Sequence, residues 1–270
     1  TPQTISGQLK LLEESVGETL FNRVGRGLVM TETGHMVYQY ADEIFTLGAE
    51  LTSRVKTGRV IVPALLAVGI VNSIPKLVAS RILQPVLQSE IPIRLVCREG
   101  GLEGLLGDLA VHQLDMVLSD RPIPSGLSVK AFSHALGSSR IAFFVRKANA
   151  RQYEKGFPRS LDKAPILLPT IDNPIRRAID DWFDGQGISP TLVAEFEDSA
   201  LMKAFGEAGN GIFPAPAAIA AEVEQMYHCR CIGPAIDVEE NYYAISPERK
   251  LKHPAVLKII AAAKNDLLSR

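Results

Sequence analysis

Short apolar runs alternate with helical segments over most of this 270-residue chain, from about residue 59 to its end. The first three apolar runs are Leu65–Ile70, Ile91–Cys97 and Leu114–Leu118. Between them, the stretches that begin at Pro75 and Leu102 have the pattern of helices. Strands joined by helices run parallel in one sheet, because a parallel connection needs a long crossover. This order therefore predicts an α/β unit whose parallel sheet is covered on both faces.

The alternation continues more loosely towards the end of the chain. The further predicted strands are Val129–Phe132, Ile141–Val145, Ile166–Pro169, Leu192–Glu197, Gly211–Phe213, Cys229–Ile232 and Tyr243–Ile245. Asp172 suits the cap of a helix over Asn173–Gln186, and Asp198 with Ser199 suits the cap of the next helix. The number of elements fits two α/β lobes that are joined by two crossings.

We place lobe I at 59–123 and 227–270, and lobe II at 124–226. Lobes connected in this way close on a ligand by a hinge motion, the arrangement of periplasmic binding proteins. The sequence therefore predicts a bilobal, periplasmic-binding-protein-like effector domain over residues 59–270.

Composition excludes several classes of protein. No run of about 18 apolar residues exists, so we expect no membrane span. No secretory signal is visible, and three cysteines are too few for a disulfide framework, which favours the cytoplasm. The net charge is −1, and the first 57 residues hold five Lys or Arg against seven Asp or Glu. Any contact with DNA must therefore come from the local placement of charge.

The first residues predict an amphipathic helix. Thr1 suits its N-cap, Pro2 its first turn and Gly17 its end. Its apolar stripe consists of Ile5, Leu9, Leu12 and Val16. This stripe needs a partner, which the residues before it in this chain do not provide.

A hairpin and a long helix are expected next. Two short apolar runs flank a turn that contains Arg26, and arginine at such a tip suits contact with phosphates or a minor groove. From about Thr31 to Lys56, apolar residues recur every three or four positions. A helix of this length with one apolar seam needs another helix to cover it, and the same helix of a second subunit is the expected cover.

The ordered series of Thr1–Glu14, Leu20–Phe21, Gly25–Gly27 and Thr31–Gly34 resembles the LysR-type transcription regulators. The match is to their recognition helix, wing and linker helix. It implies a partial winged helix-turn-helix at 1–34, a linker and dimerisation helix at 35–58, and promoter DNA as partner. The family's pattern starts about 30 residues earlier, so we expect a truncated chain. The family also implies a homodimer or homotetramer.

The resemblance implies DNA-binding roles for seven residues, namely Thr1, Gln3, Thr4, Ser6, Lys10, Arg23 and Arg26. Gln3 lies on the helix face that would enter a major groove, and the arginines match the wing. Gly7 stands where many members carry a DNA-contacting arginine, so the base readout of this chain should differ from theirs.

Ligands of open α/β sheets bind beyond the carboxyl ends of the strands. That rule selects as effector-binding candidates Asn72, Ser73, Glu99, Gly100, Gly101, Ser119, Asp120, Asp198 and Ser199. Helix N-termini among them would favour an anion, whereas carboxylates and hydroxyls would favour a hard cation such as sodium. Asp198 as a helix cap and Asp120 as a turn former are the competing structural roles. Similarity to a family member that activates sodium/proton antiporter genes in response to sodium favours the cation.

Other functions find less support in the sequence. No cofactor, resident metal or catalytic residue is predicted, because there is no phosphate loop, nucleophile elbow or metal-ligand cluster. Cys229 and Cys231 share one strand face, but zinc would need further ligands. A ligand-binding module of solute-receptor type, without DNA binding in a truncated form, is the alternative to a ligand-responsive regulator.

Arg26→Ala should weaken DNA binding by a similar factor for all sequences, because a wing arginine contacts phosphate or minor groove. The slope of log affinity against log salt should fall by about 0.9 for one lost phosphate contact. Fluorescence anisotropy of the intact protein, with promoter and scrambled duplexes at several salt concentrations, measures both quantities. Arg151→Ala in lobe II is the matched control, and an unchanged salt slope for Arg26→Ala would contradict the assignment.

Overall fold

A helix, a hairpin and a long helix open the chain, and alternating strands and helices follow, in the computed structural model. The structure describes residues 2–24, 27–57, 63–88, 92–126, 130–247 and 254–263. The helices are α1 (Pro2–Val16), α2 (Glu32–Thr57), α3 (Lys76–Leu87), α4 (Leu102–Ala110), α5 (Ala150–Glu154), α6 (Pro174–Gln186), α7 (Ser199–Glu207), α8 (Ala220–Met226) and α9 (Pro254–Ala262). The strands are β1 (Phe21–Val24), β2 (Gly27–Met30), β3 (Ala64–Val71), β4 (Ile93–Gly100), β5 (Met116–Ser119), β6 (Phe132–Arg146), β7 (Pro165–Pro169), β8 (Thr191–Phe196), β9 (Phe213–Pro216) and β10 (Cys229–Ser246).

The predicted opening helix and hairpin are confirmed. α1 ends at Gly17, which adopts a left-handed φ of +78° that glycine accepts without steric cost. β1 and β2 pair antiparallel, with Phe21 opposite Met30 and Val24 opposite Gly27. The Gly25–Arg26 tip lies outside the described residues.

Side chains that the sequence analysis did not single out hold α1 against the hairpin. The Glu13 carboxylate accepts hydrogen bonds from the backbone N–H groups of Leu20 (2.7 Å) and Phe21 (3.1 Å). Leu20 itself is buried. A charged acceptor on two backbone donors makes this a strong local connection, so the orientation of the hairpin follows from the position of the helix.

Thr31 joins the hairpin to α2. Its hydroxyl donates to the carbonyl of Thr19 (2.7 Å) and accepts from the N–H of Gly34 (2.9 Å), which caps the helix. A side chain at Gly34 would collide with the backbone carbonyl of Leu20, so only glycine permits this close approach. The start of α2 is therefore set by local side chains.

The apolar faces of α1 and α2 are open to solvent in this single chain. Ile5, Leu12 and Val16 of α1 are exposed, and so are Tyr40, Ile44, Leu47 and Leu51 of α2. Both stripes predicted from the sequence therefore lack cover among the described residues. Dimerisation through the seam of α2 stays a prediction.

The predicted parallel sheet is confirmed. β3 pairs in parallel with both β4 and β5, and Val68 lies opposite Cys97 on one side and Met116 on the other. Helices α3 and α9 pack on one face of these strands, and α4 packs on the other. The strand predicted to end at Cys97 runs on to Gly100, because pairing with β3 continues to Val71. Glu99 and Gly100 therefore lie within β4, not beyond it.

Two long strands replace four that were predicted separately. Of the strand predicted at 129–132, only Phe132 belongs to β6, since Lys130 and Ala131 precede the strand and Val129 lies outside the described residues. The run at 141–145 lies wholly within β6. The runs at 229–232 and 243–245 are the two ends of β10. Register shifts between Pro234 and Glu239 and at Tyr242–Tyr243 interrupt the alternation, so the sequence pattern looked broken.

β10 pairs antiparallel with β5 near its end and with β6 along its length, and β6 pairs in turn with β9. The six-stranded order is β4-β3-β5-β10-β6-β9, a mixed α/β sheet. β7 and β8 form a separate parallel pair, linked to the chain before β9 by an Ile166–Ile212 bridge. The boundaries predicted for the two lobes stay a prediction.

Two helix caps were predicted in the second half of the chain. Asp198 caps α7 as predicted, and its carboxylate accepts from the N–H groups of Ala200 (2.6 Å) and Leu201 (3.2 Å). The prediction of Asp172 as the cap of α6 was wrong. Asn173 takes that role by accepting from the N–H of Ile175 (3.1 Å), because it is the residue that directly precedes the helix.

Gly206→Ala should lower the free energy of unfolding by about 1–3 kcal/mol, the usual cost of overfilling a packed core. A Cβ atom at this position of α7 would overlap the buried Phe213 ring. Gly104→Ala on α4 is the matched control, since no atom lies within 4 Å of its Cβ position. The control should gain up to about 1 kcal/mol from helix propensity. Urea unfolding of both variants measures this, and equal effects would contradict the packing argument.

Candidate effector cleft and DNA-binding segment

The predicted DNA-binding residues are described in part. Gln3, Thr4, Ser6 and Lys10 lie in α1, and Arg23 lies in β1. Thr1 and Arg26 lie outside the described residues, and the side chains of Gln3 and Arg23 are not described. Thr4, Ser6 and Lys10 are exposed, and the Lys10 ammonium lies 3.9 Å from the Glu14 carboxylate. An exposed pair of this kind is weak, and contact of Lys10 with DNA stays a prediction.

Gly7 leaves an open patch on α1, because no atom lies within 4 Å of its Cβ position. Glycine in the middle of a helix costs about 1 kcal/mol relative to alanine. The structure shows no neighbour in the described part of the chain that requires it. Close approach of a nucleic-acid backbone is the use that the sequence analysis suggested, and it stays a prediction.

A small cleft lies between residues of both predicted lobes. Its lining consists of Ser73, Pro75, Ile141, Pro169, Asn173, Ile175, Ser199, Met202, Lys203, Pro214, Ala215, Pro216 and Glu240. The starts of three helices, α3, α6 and α7, contribute to this lining. Two charged side chains, Lys203 and Glu240, distinguish it from an ordinary apolar cavity.

Lys203 places an ammonium group in the wall of the cleft. Only 2% of the residue is exposed, and its ammonium donates to the carbonyl of Ser199, one turn earlier in α7, at 3.0 Å. Burial lowers the pKa of Lys203 to about 8, although the negative charges of Glu240 and Asp198 act in the opposite direction. The described hydrogen bond of the buried ammonium is therefore to a carbonyl oxygen, and the two carboxylates act on it electrostatically.

Glu240 is the carboxylate that faces this lysine. It is 7% exposed and accepts a 2.5 Å hydrogen bond from the hydroxyl of Tyr242, which is also buried. The pKa of Glu240 is raised to about 7, mainly by burial and also by the charge of Asp120, although the Tyr242 hydrogen bond and Lys203 act to lower it. The cleft therefore contains an acid and a base that both change charge near neutral pH.

Asp120 lies immediately after β5, close enough to affect both Glu240 and Tyr242 electrostatically. One of its oxygens, Oδ1, accepts from Nε of Arg121 at 3.1 Å. The other, Oδ2, is buried and has no hydrogen-bond partner. A buried carboxylate oxygen without a donor is unusual and costly, so this atom is a candidate for binding something that the protein itself does not supply.

The strand register explains why these groups meet. Ser119 of β5 lies opposite Tyr243 of β10, so the antiparallel order brings Asp120 opposite Tyr242. Opposed residues point to the same face of a sheet, and Glu240, two residues before Tyr242, shares that face. Asp120, Tyr242 and Glu240 thus form one row; we call these three residues together with Lys203 the charge cluster.

The structure brings only some of the predicted effector residues to this site. Ser73 and Ser199 line the cleft, and the buried Ser73 hydroxyl has no hydrogen-bond partner. Asp120 belongs to the charge cluster, and Asp198 lies at the N-cap of α7 near Lys203. Ser119 is buried and bonds to the backbone of Arg121.

The remaining candidates lie away from the cleft lining, namely Asn72, Glu99, Gly100 and Gly101. The Glu99 carboxylate is exposed and pairs with the Lys76 ammonium. Asn72 donates its N–H to the carbonyl of Gly100 (3.1 Å), and Gly101 is the N-cap of α4. Each of these residues already has a role in the local structure.

Lys203, Glu240 and Tyr242 were missed by sequence reasoning. Lys203 looks like an ordinary helix residue, and Glu240 stands in the run Val238-Glu-Glu-Asn-Tyr242, which was not assigned to a strand. A lysine in the apolar stripe of a helix is the one signal that could have found the site, since Lys203 follows the core residue Met202. The carboxylates needed the strand register.

Two further features limit the chemistry of the described residues. They include no group of three or more His, Cys, Asp or Glu side chains that could hold a metal ion. The cysteines described form no disulfide, and burial raises the pKa of Cys229 to about 11, which keeps its thiol protonated.

No helix of the described chain is long and apolar enough to cross a membrane.

Comparison with known proteins identifies the family. A model of the bacterial regulatory helix-turn-helix protein, lysR family, matches residues 1–35, and a model of the LysR substrate binding domain matches residues 64–267. The chain belongs to the LysR family of DNA-binding transcriptional regulators. The predicted family and the bilobal α/β fold class are therefore confirmed.

Among LysR relatives, the transcriptional activator protein NhaR of Escherichia coli is 39% identical over 259 residues, which cover 96% of this chain and 85% of NhaR. The RuBisCO operon transcriptional regulator of Acidithiobacillus ferrooxidans is 24% identical, over 98% of this chain and 86% of its own. These relatives are transcription regulators and not enzymes.

Solved structures of LysR regulators share the fold. The crystal structure of CbnR is similar with a TM-score of 0.62, at 18% identity, over 96% of this chain and 89% of CbnR. Full-length BenM gives a TM-score of 0.54 at 21% identity, over 98% of this chain and 87% of BenM. CbnR has also been solved with its target DNA, at a TM-score of 0.61 to this chain, over 96% of it and 89% of that CbnR chain.

Glu240→Gln should change how stability depends on pH. The pKa of Glu240 is raised from 4.5 to about 7, so the folded state holds a proton there that the unfolded state has lost. The free energy of unfolding of the wild type should therefore fall as pH rises from 4.5 to 7, by up to about 3 kcal/mol from this group. The variant should lack this fall. Urea unfolding across this pH range, with Glu239→Gln on the exposed neighbour as control, tests the expectation; an unchanged pH dependence in Glu240→Gln would contradict it.

Proposed function

We propose that this LysR-type regulator activates sodium/proton antiporter or related stress genes in the cytoplasm, in response to sodium. The observation that carries the proposal is its 39% identity to the activator NhaR over nearly the whole chain. Identity at this level over both family domains supports a shared type of effector as well as a shared fold.

The effector, in this proposal, acts at the cleft between the lobes. The buried Ser73 hydroxyl in the cleft wall lacks a hydrogen-bond partner, and so does Oδ2 of Asp120, whose carboxylate acts electrostatically on the cleft residue Glu240. Hydroxyl and carboxylate oxygens are the ligands that hard cations prefer in proteins. A small-molecule effector at the same cleft is the alternative that the sequence analysis left open.

Contacts between the two predicted lobes could transmit a change at the cleft to the rest of the chain. Arg81 of α3 donates to the carbonyl of Ala218 and lies 3.4 Å from the Glu222 carboxylate of α8. A ligand that favours one arrangement of the lobes would shift such contacts by no more than its preference for that arrangement. The linker helices of a homodimer or homotetramer would then carry the change to promoter DNA.

Sodium or lithium should raise the unfolding temperature of the purified chain, and potassium at the same ionic strength should not. Binding to the folded state alone stabilises it by mass action, whereas general salt effects do not distinguish these ions. Differential scanning fluorimetry with the chlorides of the three metals measures the shift. Equal responses to all three ions would count against a sodium effector and leave the family assignment intact.

DNA binding is tested separately. The intact protein should retard a duplex from its own promoter region more strongly than a scrambled duplex at moderate salt, because base contacts add to the phosphate contacts. Loss of this preference on addition of sodium, or its gain, would give the direction of the response. No preference for promoter sequence under either condition would refute the regulator function.

A further inference from the structure

The buried charged groups of the charge cluster have few hydrogen-bond partners among the described residues. Two carboxylates, Asp120 and Glu240, share one face of the sheet, and 8% and 7% of these residues are exposed. Arg121 pairs with Asp120 through Oδ1 alone, and Lys203 is the positive group that acts electrostatically on Glu240. The ammonium of Lys203 itself donates to a single described acceptor, the Ser199 carbonyl at 3.0 Å.

We propose that Asp120 and Glu240 form a binding site for one monovalent cation beneath the cleft, and that the Lys203 ammonium is the resident group with which this cation competes. The inference rests on the proposed function in one respect, namely that the regulator responds to such an ion. It adds the residues that would bind the ion, and it names Lys203 as the group that takes the place of the ion when the ion is absent.

The unpaired oxygen is the observation that points to a ligand. The Asp120 side chain is only 3% exposed, yet its Oδ2 receives no hydrogen bond. Ser73, on the chain that follows β3, presents a second buried oxygen without a partner at the cleft. Oxygens left without donors are available as ligands for a cation, because a metal ion can satisfy them where no N–H group is in reach.

Charge balance favours a monovalent ion over a divalent one. Arg121 pairs with Asp120, and Lys203 acts electrostatically on Glu240, so the two buried carboxylates face two positive groups. Replacing the Lys203 ammonium by one monovalent cation keeps this balance, provided the lysine leaves the cluster or loses its proton. A divalent ion would leave one uncompensated positive charge in a buried place, which is strongly unfavourable.

The neighbours of Lys203 and Glu240 show which group a cation would displace. The groups that face Lys203 are Glu240 on β10 and Asp198 at the N-cap of α7, and those that face Glu240 are Tyr242, Asp120 and Lys203. Lys203 and a bound cation would therefore compete for the same carboxylate, Glu240.

The arrangement also connects the site to the cleft. The Lys203 ammonium bonds to Ser199 in the first turn of α7, and both residues line the cleft. Displacing the ammonium would break this hydrogen bond and change the charge on the cleft wall opposite Ser73 and Pro75. Cation binding would thus alter the surface that the two lobes present to each other.

Sodium titrations of the full chain at about pH 7.5, followed by its unfolding temperature, test the site, with tetramethylammonium chloride holding ionic strength constant. In Lys203→Met, which removes the competing ammonium, the sodium concentration for half of the effect should fall several-fold below that of the wild type. Asp120→Asn and Glu240→Gln, which keep size and shape, should lose the sodium effect.

Glu239→Gln, next to the site but exposed, is the matched control and should behave as the wild type. A wild type without any sodium effect would overturn the proposed sodium response together with this site. A sodium effect that persists unchanged in both Asp120→Asn and Glu240→Gln would overturn the site alone.

Discussion

The antiparallel pairing of β10 with β5 and β6 is the interaction on which the rest of the effector domain depends. One end of β10 lies beside β5 of the parallel sheet, and the other pairs with the part of β6 that also contacts β9. A single strand therefore connects the two sets of helices and strands. Because β10 passes so close to the cleft, it also supplies Glu240, and the position of that carboxylate depends on the register of the whole strand.

Burial of charge is the second constraint, and it explains why the cleft is chemically distinctive. Most of the core is made of aliphatic and aromatic side chains, whereas Lys203, Glu240 and Asp120 are buried with few hydrogen-bond partners. Burying such groups costs stability unless each finds a partner. Groups with perturbed pKa values cluster at functional sites. A reversible change of charge at the contact between the two lobes is the use that their chemistry favours.

The N-terminal segment follows a different principle, because short-range hydrogen bonds hold it. Glu13 ties α1 to the hairpin, and Thr31 ties the hairpin to α2, so the relative positions of the three elements are set within about thirty residues. Their apolar faces, in contrast, have no cover among the described residues. In a family whose members bind DNA and oligomerise, such faces are suited to contacts between chains.

Local order was readable from the sequence, since the alternation of apolar runs and helical segments predicted the parallel strands β3, β4 and β5, and the helix signals at Gly17 and Asp198 were correct. These features depend on neighbours along the chain. The continuity of β6 and β10 was not readable, because bulges near Pro234 and Tyr242 break the alternation that reveals a strand. The charge cluster was not readable either. Asp120 was selected for following a strand, but it acts electrostatically on Glu240, which is distant in the sequence, and Glu240 in turn acts on Lys203. Only the strand register and the packing of α7 decide that contact, because no local pattern records which distant side chains share a face.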